Sequence, residues 1–359
     1  MSIRKINFEY LRILSIIMII AFHCVYHGGM GRDNSFTLIR ATGDMIYHLG
    51  ELGVSCFFLI SGYFLTDSTF RLRKVILLLL QVEFYVVISR LFLISFGQPV
   101  QWRLRDFFPV VDDEYWFIHV YLLVYILQPG LKNMLPSLGQ NILLWILSTQ
   151  VLVWSVLPTF ILTPIFSLEN TEAVPYYNRY IWFLLVYLIG YYIRQHGLPK
   201  PKKGTLHITE APNWQFIALS FLLLFLAVLI GELEITPFNA TYFWTPNSTL
   251  MLFMSISVFC AFKDWEPRHN SKWVRYIASC TLGTYLLHDG AIRPFLWEQL
   301  FAYQPNGEFG PYILQLMKVV ILILTVGIIV DSVRKVIERR IVVPILDNIQ
   351  NIAKRSGAI

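Results

Sequence analysis

NFEYLRILSIIMIIAFHCVYHGG, Asn7–Gly29, is the stretch that decides what kind of molecule this is. It is a membrane-length apolar run entered through charge and left through two glycines. Arg12 and His23 stand eleven residues apart in it, almost three helical turns. They therefore share one face and lie about 16 Å apart along the axis, roughly half the hydrocarbon thickness of a bilayer. An arginine at one water interface thus shares a helix with a histidine near mid-membrane. An ionisable group at that depth is costly and marks function by default.

The rest of the chain agrees with a membrane setting. Of its 359 residues, 56% are hydrophobic and only 14% charged, with mean hydropathy +0.56. Soluble domains carry about 25% charge, so this composition excludes an ordinary soluble globular protein. The basic balance, net +6, reports topology rather than nucleic-acid binding. The four cysteines, Cys24, Cys56, Cys260 and Cys280, fall in or beside apolar runs and read as free thiols without zinc-ligand spacing. No small-residue cleavage site follows the first run, so it is expected to stay as a span rather than be removed as a signal peptide.

Apolar windows predict an all-α, polytopic protein of about ten transmembrane helices. Their cores are 12–28, 44–65, 75–96, 115–134, 141–162, 178–194, 214–231, 247–262, 276–297 and 312–333. Roughly 21 of the 29 Lys and Arg fall on one set of compartments, including both termini, and about six on the other. This places both termini in the cytoplasm of a cell-membrane protein. The opposite loops carry acids, among them Asp112, Asp113, Glu114, Glu169, Glu172, Glu232 and Glu234. The expected division is a transmembrane domain over 1–335 and a basic amphipathic tail over 336–359, lying on the membrane surface.

This orientation puts Arg12 at the cytoplasmic surface, together with Arg71, Arg73 and Lys74 from the loop after the second span. Four cations there suit a cytoplasmic polyanion such as the phosphates of a nucleotide-bearing substrate, or else lipid headgroups. His23 is either a polar residue bonded to a neighbouring helix or a proton acceptor. His27 shares its face, yet no third ligand is apparent and no metal is expected. Gly50, Gly53, Ser55, Ser61 and Gly62 form a small-residue face that favours close packing over a nucleophilic Ser61. Tyr115 and Trp116 suit an interfacial aromatic belt. Glu83 is a costly charge within the third span. His288 lies thirteen residues beyond Arg275, roughly 20 Å along one helix, at a depth close to that of His23.

Six elements follow in order: Glu9, Arg12 and His23 in the first span; FFLISGYF at Phe57–Phe64; RLRK at Arg71–Lys74; WFIHVYLLVYILQP with Trp116, Phe117, Tyr125 and Pro129; LLVYLIGYYIR around Gly190; and LGTYLLH at Leu282–His288. Together they resemble acyltransferase family 3, bacterial membrane acyltransferases that modify cell-surface glycans. Departures are Glu9 where aspartate is usual, Ile13 in place of a glycine and Gln81 in place of a proline. The resemblance implies transfer of an acyl group, usually acetyl, from cytoplasmic acyl-CoA as co-substrate to a sugar hydroxyl of a surface polysaccharide or lipid-linked precursor. It implies that Arg12, Arg71, Arg73 and Lys74 hold the donor, and that His23 serves as base or acyl carrier. His288 would assist, and Glu9, Ser61, Trp116, Tyr125 and Tyr285 would line the substrates' path. Some members carry an additional extracytoplasmic esterase-like domain; this chain is expected to act alone or hand its acyl group to a separate partner. The competing readings are a transporter of a lipid-linked glycan, with His23 and Glu83 in a proton path, and a noncatalytic scaffold for envelope assembly.

Overall fold

A computed structural model describes residues 5–31, 37–66, 68–100, 115–160, 177–197, 213–232, 245–267, 270–303 and 307–355. Among these residues every regular element is helical. The outer-loop acids from Asp112 to Glu172, and Glu234, lie outside the described residues.

The first three helices are α1 (Ile6–Tyr26), α2 (Leu38–Tyr63) and α3 (Leu72–Ser95). Next come α4 (Trp116–Met134) and α5 (Gln140–Val151), the latter running on through π-helical Leu152–Val156 to Phe160. Then follow α6 (Arg179–His196), α7 (Asn213–Glu232) and α8 (Thr249–Lys263). Their starts and stops are local chemistry. Thr37, Asn178 and Ser248 each accept a backbone N–H of the first turn of the helix they precede, which satisfies a donor the helix leaves open. Gly197, at φ 71°, ends α6 in the left-handed region that a side chain disfavours.

Burial sorts the helices into layers. The most apolar windows of α1 and α2 are 61% and 67% buried, whereas those of α3 and α5 are 28% and that of the last long helix 22%. The first two helices therefore form the middle, and the others turn Leu91, Trp145, Ile321 and Ile329 outward. Among the described residues, five helices are long and apolar enough to cross a membrane. Outward apolar faces of this kind belong against lipid, and the protein is a membrane protein. The sequence expects ten crossings; helices occupy each of those windows, but five reach that length and hydropathy.

The centre is held by close backbone approach. α2 packs on α1 and on α6. A Cβ on Gly62 would collide with the Tyr187 carbonyl, and one on Gly190 with the Leu59 carbonyl. The α2–α6 crossing thus rests on two glycines facing each other's backbone, the small-residue packing of membrane helices.

One expectation needs correction. The window 276–297 is not one helix. α9 (Lys272–Ser279) stops at Cys280, α10 (Thr281–His288) restarts for two turns, and the chain continues as a 3-10 turn (Gly290–Ile292) and a π-helix (Phe295–Leu300). A buried ion network clamps the break. Asp331, fully buried, accepts from Tyr85 Oη at 2.9 Å and Arg334 Nε at 2.6 Å and pairs with Lys335 at 3.0 Å. Lys335 also reaches Cys280 Sγ and Ser279 Oγ. The tail follows the last long helix directly. α11 (Phe309–Ile337) continues through π-helical Glu338–Val342 into α12 (Val343–Arg355), whose apolar residues Ile345, Ile349 and Ile352 are exposed.

Candidate functional site

One cavity of about 1320 Å³ runs along α1, from Lys5 and Arg12 at one end to His23 and His27 at the other. α2 faces it with Glu51, Phe57 and Ser61, α4 with an aromatic wall, and α10 with Tyr285.

At the first end Arg12, Arg71, Lys74 and Lys5 converge. Lys5 had no place in the sequence reading. The Arg12 guanidinium donates to Glu9 Oε1 at 2.7 Å, and the Glu9 side chain is only 1% exposed. Glu9 is therefore a buried anchor that aims the guanidinium, since its other oxygen has no partner. The loop carrying Arg71 is sewn to α4. Arg71 N–H donates to Tyr125 Oη at 3.1 Å, Tyr125 Oη donates to the Thr69 carbonyl at 3.4 Å, and Lys132 Nζ donates to the Ser68 carbonyl at 3.0 Å. Gln128 adds a bond to Ser68 Oγ. Arg71 precedes the first turn of α3, so the positive end of a 24-residue helix dipole adds to the cations. A helix N-terminus with three or four cations is a site for phosphates.

Arg73 departs from the expectation. It does not line the cavity but pairs with Asp347 of α12 at 2.6 Å. The reason is helical geometry: Arg73 is turned about 100° from Lys74 on α3, away from the cavity face.

Between the two ends, Phe117, Tyr121 and Tyr125 stand one turn apart on α4, with stacked rings at 6.2 and 6.4 Å. Trp116 stacks on Phe183 at 5.6 Å and carries the Arg179 guanidinium 5.6 Å over its face. Ser61 lines the cavity opposite, its hydroxyl donating to the Phe57 carbonyl at 2.8 Å, a packing bond within its own helix.

At the far end His23, 7% exposed, borders the cavity. Its ring centroid is 5.2 Å from that of His27 and 5.0 Å from that of His288. The two imidazoles lie side by side, in keeping with the similar depth expected from helix rise. His288 is 1% exposed and stands behind His23, off the cavity wall. α10 sets the His288 ring against His23 of α1, away from the residues that line the cavity. Among the described residues no group of three His, Cys, Asp or Glu could hold a metal ion.

Several lining residues were missed from sequence: Glu51, Tyr177, Arg179, Asp289 and Arg293. Asp289, 2% exposed, pairs with Arg293 at 3.3 Å. Burial and the neighbouring Glu51 carboxylate both raise the Tyr177 phenol above its usual value. Glu51 had a legible signal, a carboxylate inside an apolar window. The others sit where hydropathy changes sign, and nothing local distinguishes them from ordinary interface residues.

The cavity therefore joins a cationic end to a nearly buried imidazole by way of an aromatic wall. Comparison with known proteins adds one match: a family model described as an acyltransferase domain, Acyl_transf_3, over residues 5–331. No curated protein and no solved structure matches the chain. The chain belongs to that acyltransferase family, and the resemblance drawn from its motifs holds.

Proposed function

We propose that this membrane acyltransferase moves an acyl group, most simply acetyl, from cytoplasmic acyl-CoA to a hydroxyl of a cell-surface polysaccharide or its lipid-linked precursor, working in the cell membrane with both termini in the cytoplasm. One observation carries the reading: a single cavity has Arg12, Arg71 and Lys74 at one end and His23 at the other.

The donor's phosphates meet the three cations and the α3 N-terminus, where charge-assisted bonds are strongest. Its uncharged arm extends along Phe117, Tyr121 and Tyr125 and carries the thioester toward His23. The acceptor hydroxyl approaches from the opposite mouth, past Trp116, Tyr285 and Glu51. The neutral His23 ring takes the hydroxyl proton as the oxygen attacks the thioester carbonyl carbon. A C–O bond forms and the C–S bond breaks; the leaving thiolate then recovers the proton from the imidazolium. A cavity that admits both substrates at once favours this direct transfer over a covalent acyl-histidine.

The test uses purified protein in vesicles, labelled acetyl-CoA and an envelope glycan. Label should reach the glycan with the native chain and fall about 10²- to 10⁴-fold with a folded His23→Ala variant. Glycan that crosses the vesicle without acylation makes the protein a transporter. Neither outcome leaves a scaffold, and label held on His23 in the absence of glycan makes it a carrier.

A further inference from the structure

We infer that His288 does not touch substrate but sets the tautomer of His23, forming a two-imidazole relay whose free end is the His23 nitrogen at the cavity. The inference rests on the reading of His23 as the base.

Four observations carry it. First, His288 Nδ1 lies 2.5 Å from the Thr284 carbonyl oxygen. A carbonyl only accepts, so Nδ1 is the protonated nitrogen and Nε2 keeps its lone pair. Second, that Nε2 is buried and has no hydrogen-bond partner. Third, His23 Nδ1 is likewise buried without a partner. Fourth, the two ring centroids are 5.0 Å apart, inclined at 59°, and both side chains are more than nine-tenths buried. Ring centroids at that separation place the two imidazoles in contact, and the relay requires a side-chain rotation that brings the two nitrogens to about 2.7–3.2 Å. Two buried nitrogens that each lack a partner are complementary only in one arrangement: His23 Nδ1–H donating to His288 Nε2. An unmade bond between buried polar groups is costly, so the pairing is favoured over leaving both empty.

The consequence is chemical. With its proton on Nδ1, neutral His23 carries its lone pair on Nε2, and Nε2 is where a hydroxyl proton from the cavity must go. The other tautomer would point a lone pair at the back wall and an N–H at the substrate, where it cannot act as base. His288 is itself held in place. Trp297 Nε1 donates to its backbone carbonyl at 3.1 Å, and the indole ring lies 6.0 Å from one imidazole and 6.1 Å from the other. The Thr284 carbonyl, His288 and His23 thus form a chain in which each group orders the next.

His288 is on this account a positioning residue, and its variants separate that role from bulk packing. His288→Leu removes the acceptor. Turnover should fall about 10²-fold, while KM for acetyl-CoA stays within about twofold, because the donor end is untouched; loss of the right tautomer in a serine-protease triad costs about 10⁴-fold with an anionic partner, and a neutral one orders less strongly. His288→Gln restores an acceptor oxygen near the same place and should recover at least about tenfold of that loss. The direct readout needs no activity: ¹⁵N-histidine solid-state NMR of the native chain in lipid, at alkaline pH. It should show His23 protonated at Nδ1 and His288 Nε2 unprotonated, with His23 turning to a tautomer mixture in His288→Leu. His23 protonated at Nε2 in the native chain overturns the relay, even if His288→Leu fails to fold. So does a folded His288→Leu with native turnover, or a folded His288→Gln no better than Leu. An active His23→Ala defeats the base reading itself; an inactive one beside a fully active His288→Leu defeats only the relay.

Discussion

Removing the Arg12 guanidinium should do two separable things, and their separation tests whether the cationic end binds donor. Glu9 is 1% exposed, and its one charge-assisted partner is Arg12 at 2.7 Å, itself 25% exposed. Arg12→Ala leaves that carboxylate buried and unpaired, which costs about 3–5 kcal/mol in comparable sites. The same change removes a charge-assisted bond to a donor phosphate, worth about 1.5–3 kcal/mol. That converts to about a 10- to 100-fold fall in kcat/KM for acyl-CoA.

The double variant Glu9→Gln with Arg12→Ala resolves the two effects. A neutral amide is far cheaper to bury than a lone carboxylate, so thermal stability should return to within about 1 kcal/mol of native. Donor affinity should not return, since no guanidinium has been restored. The assays are thermal unfolding in detergent and thiol release from acetyl-CoA over a range of donor concentrations. A double variant that regains both stability and kcat/KM would show that Arg12 acts through the fold alone. An Arg12→Ala protein with native kcat/KM at equal folded concentration would refute the donor site.

The cations of the third helix should divide by face: Arg71→Ala and Lys74→Ala each raise the donor KM about three- to tenfold at low salt, while Arg73→Ala, which breaks only the exposed pair with Asp347, leaves it within about twofold. Steady-state kinetics on the three single variants decide this, and equal effects would mean that the cavity face has been misread. Tyr125→Phe removes the hydroxyl that holds Thr69 and Arg71 and should raise donor KM by about tenfold or less, with kcat preserved. A fall confined to kcat would put Tyr125 in the chemistry instead. Gly62→Leu forces a side chain into the Tyr187 carbonyl and should prevent accumulation of folded protein; a native melting profile for this variant would contradict the close α2–α6 crossing.

Much of this arrangement is readable from residues alone, and the unread part has identifiable causes. The rise of an α-helix is constant, so eleven residues between Arg12 and His23 mean the same separation in any fold that keeps α1 straight. Small residues at Gly62 and Gly190 likewise announce close packing without naming the partner. Depth along a helix is legible where rotation about it is not: His288 was placed at the level of His23, but whether it faced the cavity depended on neighbours. Arg73 was grouped with Arg71 and Lys74 by proximity, although helical spacing already turns it away from Lys74. The break at Cys280 is invisible to hydropathy, because SCTLGTY reads the same whether its helix is one piece or two. What lies against it is Asp331, fifty-one residues later, with its partners Tyr85, Arg334 and Lys335, the last reaching Ser279 and Cys280.

A second interruption, after His288, explains why the far end of the cavity can be polar at all. Irregular backbone within an apolar layer survives only where protein or a water-filled space satisfies its polar groups. After His288 the chain runs extended at Asp289, then takes Gly290 at φ 75°, with the Tyr115 ring against the position a Cβ would occupy. Its carbonyls find dedicated donors: Trp297 Nε1 for His288 and Tyr115 Oη for Leu286. Asp289 and Arg293 are turned into the cavity instead, paired with each other. A straight span over 276–297 would satisfy its own backbone without any of these partners. It would also carry Asp289 and Arg293 a full turn apart, free to face lipid. The fold gives up helical regularity here, and in exchange two short segments set an ion pair and the His288 imidazole beside the C-terminal end of α1. Such an arrangement serves no packing need that an apolar helix would not meet more simply, and this is a physical argument in favour of the role proposed for His23.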